Sequence, residues 1–176
     1  MPTSFPSTAH DHAACRDDAL NRAALLCEGR KARLTDIRRR VLASLWSDHR
    51  PVSAYDILAR LNAEEAAHGG KVLAPPAVYR ALEFLIGQGL VHRLASQNAY
   101  VGCASPERPH GAQFLICRAC GAVAEVRDVA LAGDLRRVAE EAGFALGLPM
   151  VEIEGLCPHC QPAPSALTLP PSVPLS

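Results

Sequence analysis

The sequence predicts an α+β fold in two parts: a helical first part, then a smaller unit of short strands with one further helix. Three observations support this. Apolar residues recur at helical spacing up to about residue 88, short strand-like apolar runs dominate after it, and two Cys-x-x-Cys pairs fall at residues 117–120 and 157–160. With 176 residues, of which 49% are apolar, the chain is long enough for one large or two small domains.

Three helices are predicted before the most strongly patterned one. The first spans about Ala19 to Lys31. Thr35 and Ser53 are N-cap candidates for the second and third helices, because each precedes a run of apolar residues at helical spacing. Gly69-Gly70 ends the third helix.

The fourth helix has the clearest signal. Pro75-Pro76 pre-sets its first turn, and the Gly-Gln-Gly run at 87–89 ends it. At about 100° per residue, Arg80 lies nearly opposite the apolar face, with Tyr79 beside it. The predicted buried face consists of Val78, Leu82, Leu85 and Ile86.

Two strand-like runs follow at residues 90–94 and 99–101, joined by a polar turn, which indicates a β-hairpin. Helices followed by a hairpin are the order of a winged helix-turn-helix domain, here placed at residues 16–103. In that domain the third and fourth helices form the helix-turn-helix, and the fourth enters the DNA major groove.

The second unit is placed at residues 104–160. Strands are predicted at 113–116 and 122–126, a helix at 131–141, and a strand over 144–153 that leads to the second cysteine pair. This order predicts a small α/β module.

The two ends are predicted to be disordered tails, residues 1–15 and the Pro-rich residues 161–176. No apolar run approaches membrane-spanning length and no secretory signal is evident, so we expect a cytoplasmic protein without a membrane partner. In a reducing compartment, paired cysteines remain thiols or bind metal.

Charge offers a weak hint about partners. The 18 basic residues balance 18 acidic ones, but up to residue 95 there are 13 Lys/Arg against 10 Asp/Glu, and from 96 onward 5 against 8. The first part is therefore mildly basic. Together with the helix order and the hairpin, this favours DNA binding.

Four cysteines can close a tetrahedral shell around a zinc ion: Cys117, Cys120, Cys157 and Cys160. Because 36 residues lie between Cys120 and Cys157, the fold must bring the pairs together. A closed four-sulfur shell leaves no open position for catalysis, so the pattern favours a structural site. The alternative is a pair of redox-active thiol motifs, which would make the chain a thiol redox protein.

Four further ligand-type residues are scattered around the hairpin and the first cysteine pair: His92, Cys103, His110 and Glu125. From the pattern alone they are a weak candidate site, because a lone His or Glu on a strand is more often an ordinary surface residue. Cys15 and Cys27 are interpreted as unligated thiols. The surface histidines are expected to be His10, His12, His49, His68 and His159.

Catalysis is not expected. A zinc hydrolase or deaminase needs an open metal position and a nearby general base, and the deaminase pattern His-x-Glu followed by Pro-Cys-x-x-Cys is absent from the sequence. The chain is interpreted as a non-enzyme.

Several segments, taken in order, resemble the ferric uptake regulator family. Ser-Ala-Tyr-Asp-Ile-Leu from Ser53, Pro-Pro-Ala-Val-Tyr-Arg-Ala-Leu-Glu-Phe-Leu from Pro75 and Gly-Leu-Val-His-Arg from Gly89 are similar to its DNA-binding domain. Phe-Leu-Ile-Cys-Arg-Ala-Cys-Gly from Phe114 and Gly-Leu-Cys-Pro-His-Cys from Gly155 are similar to its dimerisation domain.

Within the family the likeness is to the branch that responds to zinc, since the iron and peroxide regulators carry a histidine-rich stretch where this chain has His110 alone. The resemblance implies two zinc ions per subunit. The four cysteines would hold a structural zinc, and His92, Cys103, His110 and Glu125 a regulatory zinc. A family member that responds to iron, manganese or nickel is the nearest alternative.

The resemblance also implies the partners. A zinc-loaded homodimer would bind a pseudo-palindromic operator in double-stranded DNA and repress zinc uptake genes. Arg80 would read a base edge, while Tyr55 and Tyr79 would contact DNA at or near the phosphate backbone.

Overall fold

The structure is a computed structural model that describes residue 5 and residues 12–48, 50–108 and 110–162. The first part contains α1 (His12–Gly29), α2 (Asp36–Leu45), α3 (Ala54–Ala67), α4 (Pro75–Gly87), β1 (Val91–Leu94) and β2 (Ala99–Gly102). The second part contains β3 (Ala112–Cys117), β4 (Val123–Val126), α5 (Val129–Glu141) and β5 (Met150–Gly155). The predicted α+β class is confirmed.

The caps that start α2, α3 and α4 differ in how they work. The Ser53 side chain accepts a hydrogen bond from the Asp56 backbone N–H, 3.1 Å away, and so satisfies one of the unpaired donors of α3. Thr35 occupies the N-cap position of α2, but its side chain makes no cap hydrogen bond. Pro75 lies at the first position of α4, where its missing N–H costs nothing.

The apolar faces of α1 to α4 meet in one core, which the hairpin closes on one side. Ala81 is buried in this core, whereas Ile86, predicted to be buried, is 39% exposed. The prediction was wrong because eight residues beyond Val78 the helix has turned by about 80° away from the buried stripe. The fully buried side chains on α4 are therefore Val78, Ala81, Leu82 and Leu85.

Helix α1 begins at His12, well before the predicted start near Ala19, so residues 12–15 are helical and not part of a tail. The sequence pattern missed this start because the apolar residues of α1 do not form a single stripe: Ala23 is buried, while Leu25 is exposed. The remaining tail predictions fall mostly on residues 1–4, 6–11 and 163–176, which lie outside the described residues, as do His10 and His49.

The β1–β2 hairpin is antiparallel, with Arg93 opposite Tyr100, and a two-bond bridge between Val52 and Tyr100 attaches it to the segment before α3. Gly102 allows the end of β2 to approach Trp46 closely, since a Cβ at this position would lie 2.3 Å from the indole nitrogen. The hairpin is thereby fixed against the helices.

The second sheet has the strand order β4-β3-β5, with β4 antiparallel and β5 parallel to β3. Its parallel ladder begins where Ala112 pairs with Met150. The strand predicted over 144–153 therefore starts only at Met150. Pro149 ends the ladder, because its carbonyl accepts a hydrogen bond from the Ala112 backbone N–H at 3.0 Å but its own nitrogen has no hydrogen to donate.

The two parts are in contact. Leu94 of β1 is fully buried with Phe114 and Ile116 of β3, so one hairpin residue belongs to the core of the second sheet. Glu152 of β5 also accepts backbone hydrogen bonds from Ala95 (2.7 Å) and Ser96 (3.1 Å) in the hairpin turn. Among the described helices none is long and apolar enough to cross a membrane.

Candidate metal centres and nucleic-acid interface

The two cysteine pairs converge at one end of the second sheet. Cys117 ends β3 and Cys157 follows β5 closely, so the parallel pairing of these strands places the pairs side by side. The ligand atoms of all four cysteines, here called the cysteine cluster, lie within 4.8 Å of one another. The long sequence gap noted above is occupied mainly by β4, α5 and β5.

The sulfur atoms of the cysteine cluster are not bonded to one another. Cys120 Sγ and Cys157 Sγ are 3.8 Å apart, far beyond the S–S bond length of about 2.05 Å, and all four cysteines are free. The Cys157 backbone N–H donates to Cys117 Sγ at 3.3 Å, and backbone N–H donors lower the pKa of Cys117 to about 6. Hydrogen bonding to Cys157 and Cys120 raises the pKa of Cys160 to about 12. Backbone N–H donors thus favour a thiolate at Cys117, whereas the neighbouring thiols hold the proton on Cys160.

The second group of ligand-type residues, here called the mixed cluster, also comes together. His92 lies on β1, Cys103 directly follows β2, His110 precedes β3 and Glu125 lies on β4. Their ligand atoms lie within 4.8 Å of one another. The mixed cluster therefore takes donors from both parts of the chain, whereas the cysteine cluster lies wholly in the second.

Glu125 is at the centre of the mixed cluster. Its Oε1 is 2.7 Å from His110 Nε2 and 3.7 Å from His92 Nε2, and Cys103 Sγ is 3.7 Å from His110 Nε2. Its other oxygen, Oε2, accepts a hydrogen bond from the Ala104 backbone N–H at 3.1 Å. That bond fixes the orientation of the carboxylate, as outer hydrogen bonds do for metal ligands.

The donor set fits a zinc ion on two grounds. His110 Nδ1 is 2.9 Å from the Arg108 carbonyl oxygen and must carry the hydrogen there, so in the neutral ring Nε2 presents a lone pair to Glu125. Two facing lone pairs repel unless a positive charge, a proton or a metal ion, lies between them. His92 Nε2 is buried and makes no hydrogen bond within the described part of the chain, although Glu125 lies nearby.

The protonation states follow from burial. Burial lowers the pKa of His92, so its ring is neutral and can act as a ligand at neutral pH. Burial, together with the Glu125 carboxylate, raises the pKa of the Cys103 thiol to about 12. Binding of a metal ion at this cluster would therefore displace a proton from Cys103.

The predicted DNA-contacting residues are exposed. Tyr55 in the first turn of α3 is 68% exposed and Tyr79 on α4 is 40% exposed. Desolvation and the neighbouring Tyr55 raise the pKa of Tyr79. Arg80 is exposed on α4, and its Nε donates to the Pro76 carbonyl one turn earlier, at 3.2 Å.

Of the three consecutive arginines at 38–40 in α2, two serve packing and not an outward surface. The Arg38 guanidinium stacks 3.5 Å above the Phe84 ring of α4, and Arg40 pairs with Glu64 (3.0 Å) and Glu65 of α3. These contacts join α2 to both helices of the helix-turn-helix. The charge pattern of the sequence could not distinguish them from solvent-facing arginines.

The other cysteines and histidines have the expected surroundings where they are described. Cys27 is buried in the helical core and Cys15 is half-buried on α1. His68 and His159 are exposed, and nothing is described of the His12 side chain.

The structure combines a winged helix-turn-helix unit with a small sheet unit, and the mixed cluster takes its donors from both. This combination is typical of metal-responsive DNA-binding proteins. The model of the ferric uptake regulator family matches residues 30–153, and the chain belongs to this family.

Within this family, the chain is similar to individual zinc uptake regulators, both in sequence and in solved structures. Over 144 residues the chain is 39% identical to the zinc uptake regulation protein of Escherichia coli K12, covering 81% of each chain. A solved zinc uptake regulator complexed with zinc and DNA superposes with a TM-score of 0.76 at 37% identity, covering 82% of this chain and 94% of that one. Holo XcZur gives a TM-score of 0.72 at 37% identity, with 80% and 95% covered.

Proposed function

We propose that the protein is a zinc-responsive transcriptional repressor that binds operator DNA as a zinc-loaded homodimer and controls zinc uptake genes. The observation that carries the proposal is the mixed cluster, whose donors come from the winged helix hairpin, from the segment after it and from the second sheet. The similarity to zinc uptake regulators, one of them solved with zinc and DNA, supports it.

Two zinc ions per subunit are proposed. The cysteine cluster would hold a structural zinc, because four thiolates within one unit form a closed shell. His92, Cys103, His110 and Glu125 would hold the regulatory zinc. Two imidazoles, one thiolate and one carboxylate favour zinc over iron(II) or manganese(II), and availability in the cell must account for discrimination against copper.

Regulation follows from where the donors lie. When bound, the dication would supply a common partner for donors on β1 and β4, which belong to different parts of the chain. His92 would hold the hairpin, and Glu125 would hold the second sheet. With these side chains free of a common partner, the angle between the parts would vary, and only a fraction of molecules would have the arrangement that fits DNA.

DNA contact is assigned to the exposed residues of the helix-turn-helix. Helix α4 would enter the major groove, where Arg80 can make a bidentate contact to a guanine edge. Tyr55 and Tyr79 would donate to phosphate oxygens and so set the position of α4 without reading sequence.

The second sheet offers the surface for a homodimer. β5 is an edge strand within the described sheet, and exposed apolar side chains occur on α5, on β5 and on the segment between them. They are Val129, Val138, Phe144, Leu146, Leu148, Met150 and Ile153. A two-fold dimer built on this face would present two α4 helices to a pseudo-palindromic operator.

We propose no catalytic activity, since both clusters would be filled by four protein donors and would leave no open metal position. Because its proposed partner is genomic DNA, we propose that the protein is cytoplasmic. The alternative of a thiol redox protein predicts reactive Cys117 and Cys157 thiols in folded, metal-free protein.

The test is DNA binding measured against metal. DNA fragments would be selected from the source genome with zinc-loaded protein, and fluorescence anisotropy would then follow binding at chelator-buffered free zinc, iron(II) and manganese(II). We expect binding that rises with zinc alone and is lost on chelation. Binding that is indifferent to chelators, or that responds to iron(II) or manganese(II) in place of zinc, would refute the proposal.

A further inference from the structure

The linker between two donors of the mixed cluster, residues 104–108, is held by arginines. It begins directly after Cys103 and ends shortly before His110. Three consecutive carbonyl oxygens in it each accept a hydrogen bond of 3.1 Å from a different arginine: Ala104 from Arg22, Ser105 from Arg127 and Pro106 from Arg30.

Arg22 lies on α1 and Arg30 directly follows it; α1 lies outside the helix-turn-helix and contributes no donor to the mixed cluster. Arg22 also pairs with Asp18 at 3.3 Å within α1 and with Glu107 of the linker at 3.9 Å. Its contacts therefore fasten the linker to α1 at two residues, Ala104 and Glu107.

Arg30 makes a second contact in a different place. Besides the Pro106 carbonyl, its guanidinium donates to the carbonyl oxygen of Gln88, the residue that caps the C-terminal end of α4. A planar guanidinium can bridge two carbonyls, whereas a lysine ammonium is a point charge on a flexible stem. Arg30 thus joins the linker to the end of the helix proposed to enter DNA.

We propose that Arg22 and Arg30 are positioning residues for the regulatory zinc, holding the linker so that Cys103 and His110 are already in place, and that Arg30 also couples the linker to α4. The inference rests on the proposed function. A donor pair that is ordered before binding loses less conformational entropy on taking up a metal ion. Hydrogen bonds to the ligands themselves change metal affinity by about 10- to 100-fold, and contacts to the linker between two ligands are expected to act at the lower end of this range.

The direction in which zinc affinity changes when the arginines are removed distinguishes a positioning role from a purely electrostatic one. Two guanidinium groups near a dication site repel the ion, so if charge were their only influence, their removal would strengthen zinc binding. Positioning predicts the opposite, that removal weakens zinc binding. The two accounts therefore give opposite changes in one measurement.

The experiment measures zinc affinity by chelator competition in the full-length chain without DNA. The variants are R22A, R30A and R22A/R30A. R16A is the matched control, because Arg16 lies on α1, as Arg22 does, and pairs with its neighbour Asp17. The zinc that wild type binds and a C103S variant does not is taken as the zinc of the mixed cluster. We expect the double variant to bind this zinc about tenfold more weakly, with the zinc of the cysteine cluster unchanged.

Hydrogen exchange supplies a local readout. In zinc-loaded R22A/R30A, faster amide exchange is expected in the linker and not in α3. Anisotropy adds the coupling test: the ratio of DNA affinities with and without zinc should fall in R30A and stay near the wild-type value in R22A.

Affinity within twofold of R16A, or tighter than it, would overturn the positioning role. An unchanged coupling ratio in R30A would overturn the link to α4. Should the double variant fail to fold, R22K and R30K replace it, with a few-fold weaker zinc binding expected and unchanged binding counting against the inference. Zinc-independent DNA binding by wild type would instead refute the proposed function, so the two failures are distinguishable.

Discussion

The two clusters differ less in their chemistry than in what they connect. Each brings four ligand atoms within 4.8 Å of one another. The cysteine cluster closes the end of one sheet, so a metal ion there would stabilise a single unit. The mixed cluster draws on β1, on the segment after β2 and on β4, so an ion there would fix one unit against the other. A structural site and a sensing site can thus be distinguished by whether their donors lie in one unit or span the boundary between two.

The largest expected effect comes from breaking the cysteine cluster. In Cys117→Ser, one closing ligand is lost, and structural zinc sites contribute about 10–16 kcal/mol of folding free energy in small domains. We expect the second sheet to unfold and the dimer to dissociate. Circular dichroism, zinc content and sedimentation would measure this, with Cys15→Ser as control; a stable dimer with normal zinc content would contradict the structural assignment.

Breaking the mixed cluster should leave the fold intact. In Cys103→Ser the only sulfur donor of the cluster is replaced by a weak oxygen donor, so we expect loss of zinc-dependent DNA binding with a folded dimer. DNA anisotropy at buffered zinc and thermal melting test this. Normal zinc dependence in the variant would show that Cys103 is not a ligand. Unfolding of the variant would show that the mixed cluster, like the cysteine cluster, is needed for the fold.

The DNA surface should show two kinds of loss. Arg80→Ala is expected to cost about 1–3 kcal/mol of binding and to relax preference at one base pair, because a bidentate base contact is removed. Tyr79→Phe should cost about 0.5–1.5 kcal/mol uniformly across sequences. Competition among single-base variants of a selected site measures both. A uniform loss in Arg80→Ala would reassign that residue to the phosphate backbone.

The smallest expected effect concerns the contact between hairpin turn and β5. Although burial acts to raise it, the pKa of Glu152 is lowered by hydrogen bonds from the Ser96 hydroxyl and the Ala95 and Ser96 backbones. The stabilisation is therefore present at neutral pH and is lost as pH falls through the lowered value, below the ordinary 4.5.

In Glu152→Gln we expect a loss of about 0.5–1 kcal/mol in stability at neutral pH, which disappears under acid conditions. Melting curves of wild type and variant across pH would measure it. A loss that is the same at every pH would show that the carboxylate charge is not involved.

Much of the first part could be predicted from the sequence, because its signals are local. The Ser53 cap, the prolines at the start of α4 and the apolar stripe of that helix each lie within a few residues of what they specify. The errors have equally local causes. Ile86 lies one residue beyond the buried stripe, and α1 has no stripe that marks its start at His12.

The structure of the second part, and of its boundary with the first, depends on strand pairing between distant residues. The spacing of residues in the sequence does not reveal such pairing. The start of β5 at Met150 is set by its parallel partner β3, not by its own apolar run. His92 and Glu125 meet where β1 packs against the second sheet, with Leu94 buried in the core of that sheet. Spacing alone left the mixed cluster a weak candidate, and the resemblance to a family supplied what the pattern could not.

The most direct test of the difference between the clusters is to measure bound zinc and DNA affinity together in one chelator-buffered titration of the wild-type dimer. The account predicts that DNA affinity stays low while the first zinc equivalent per subunit fills the cysteine cluster, and rises only as the second fills the mixed cluster. Full DNA affinity at one zinc per subunit, or affinity that does not change as the second binds, would contradict it.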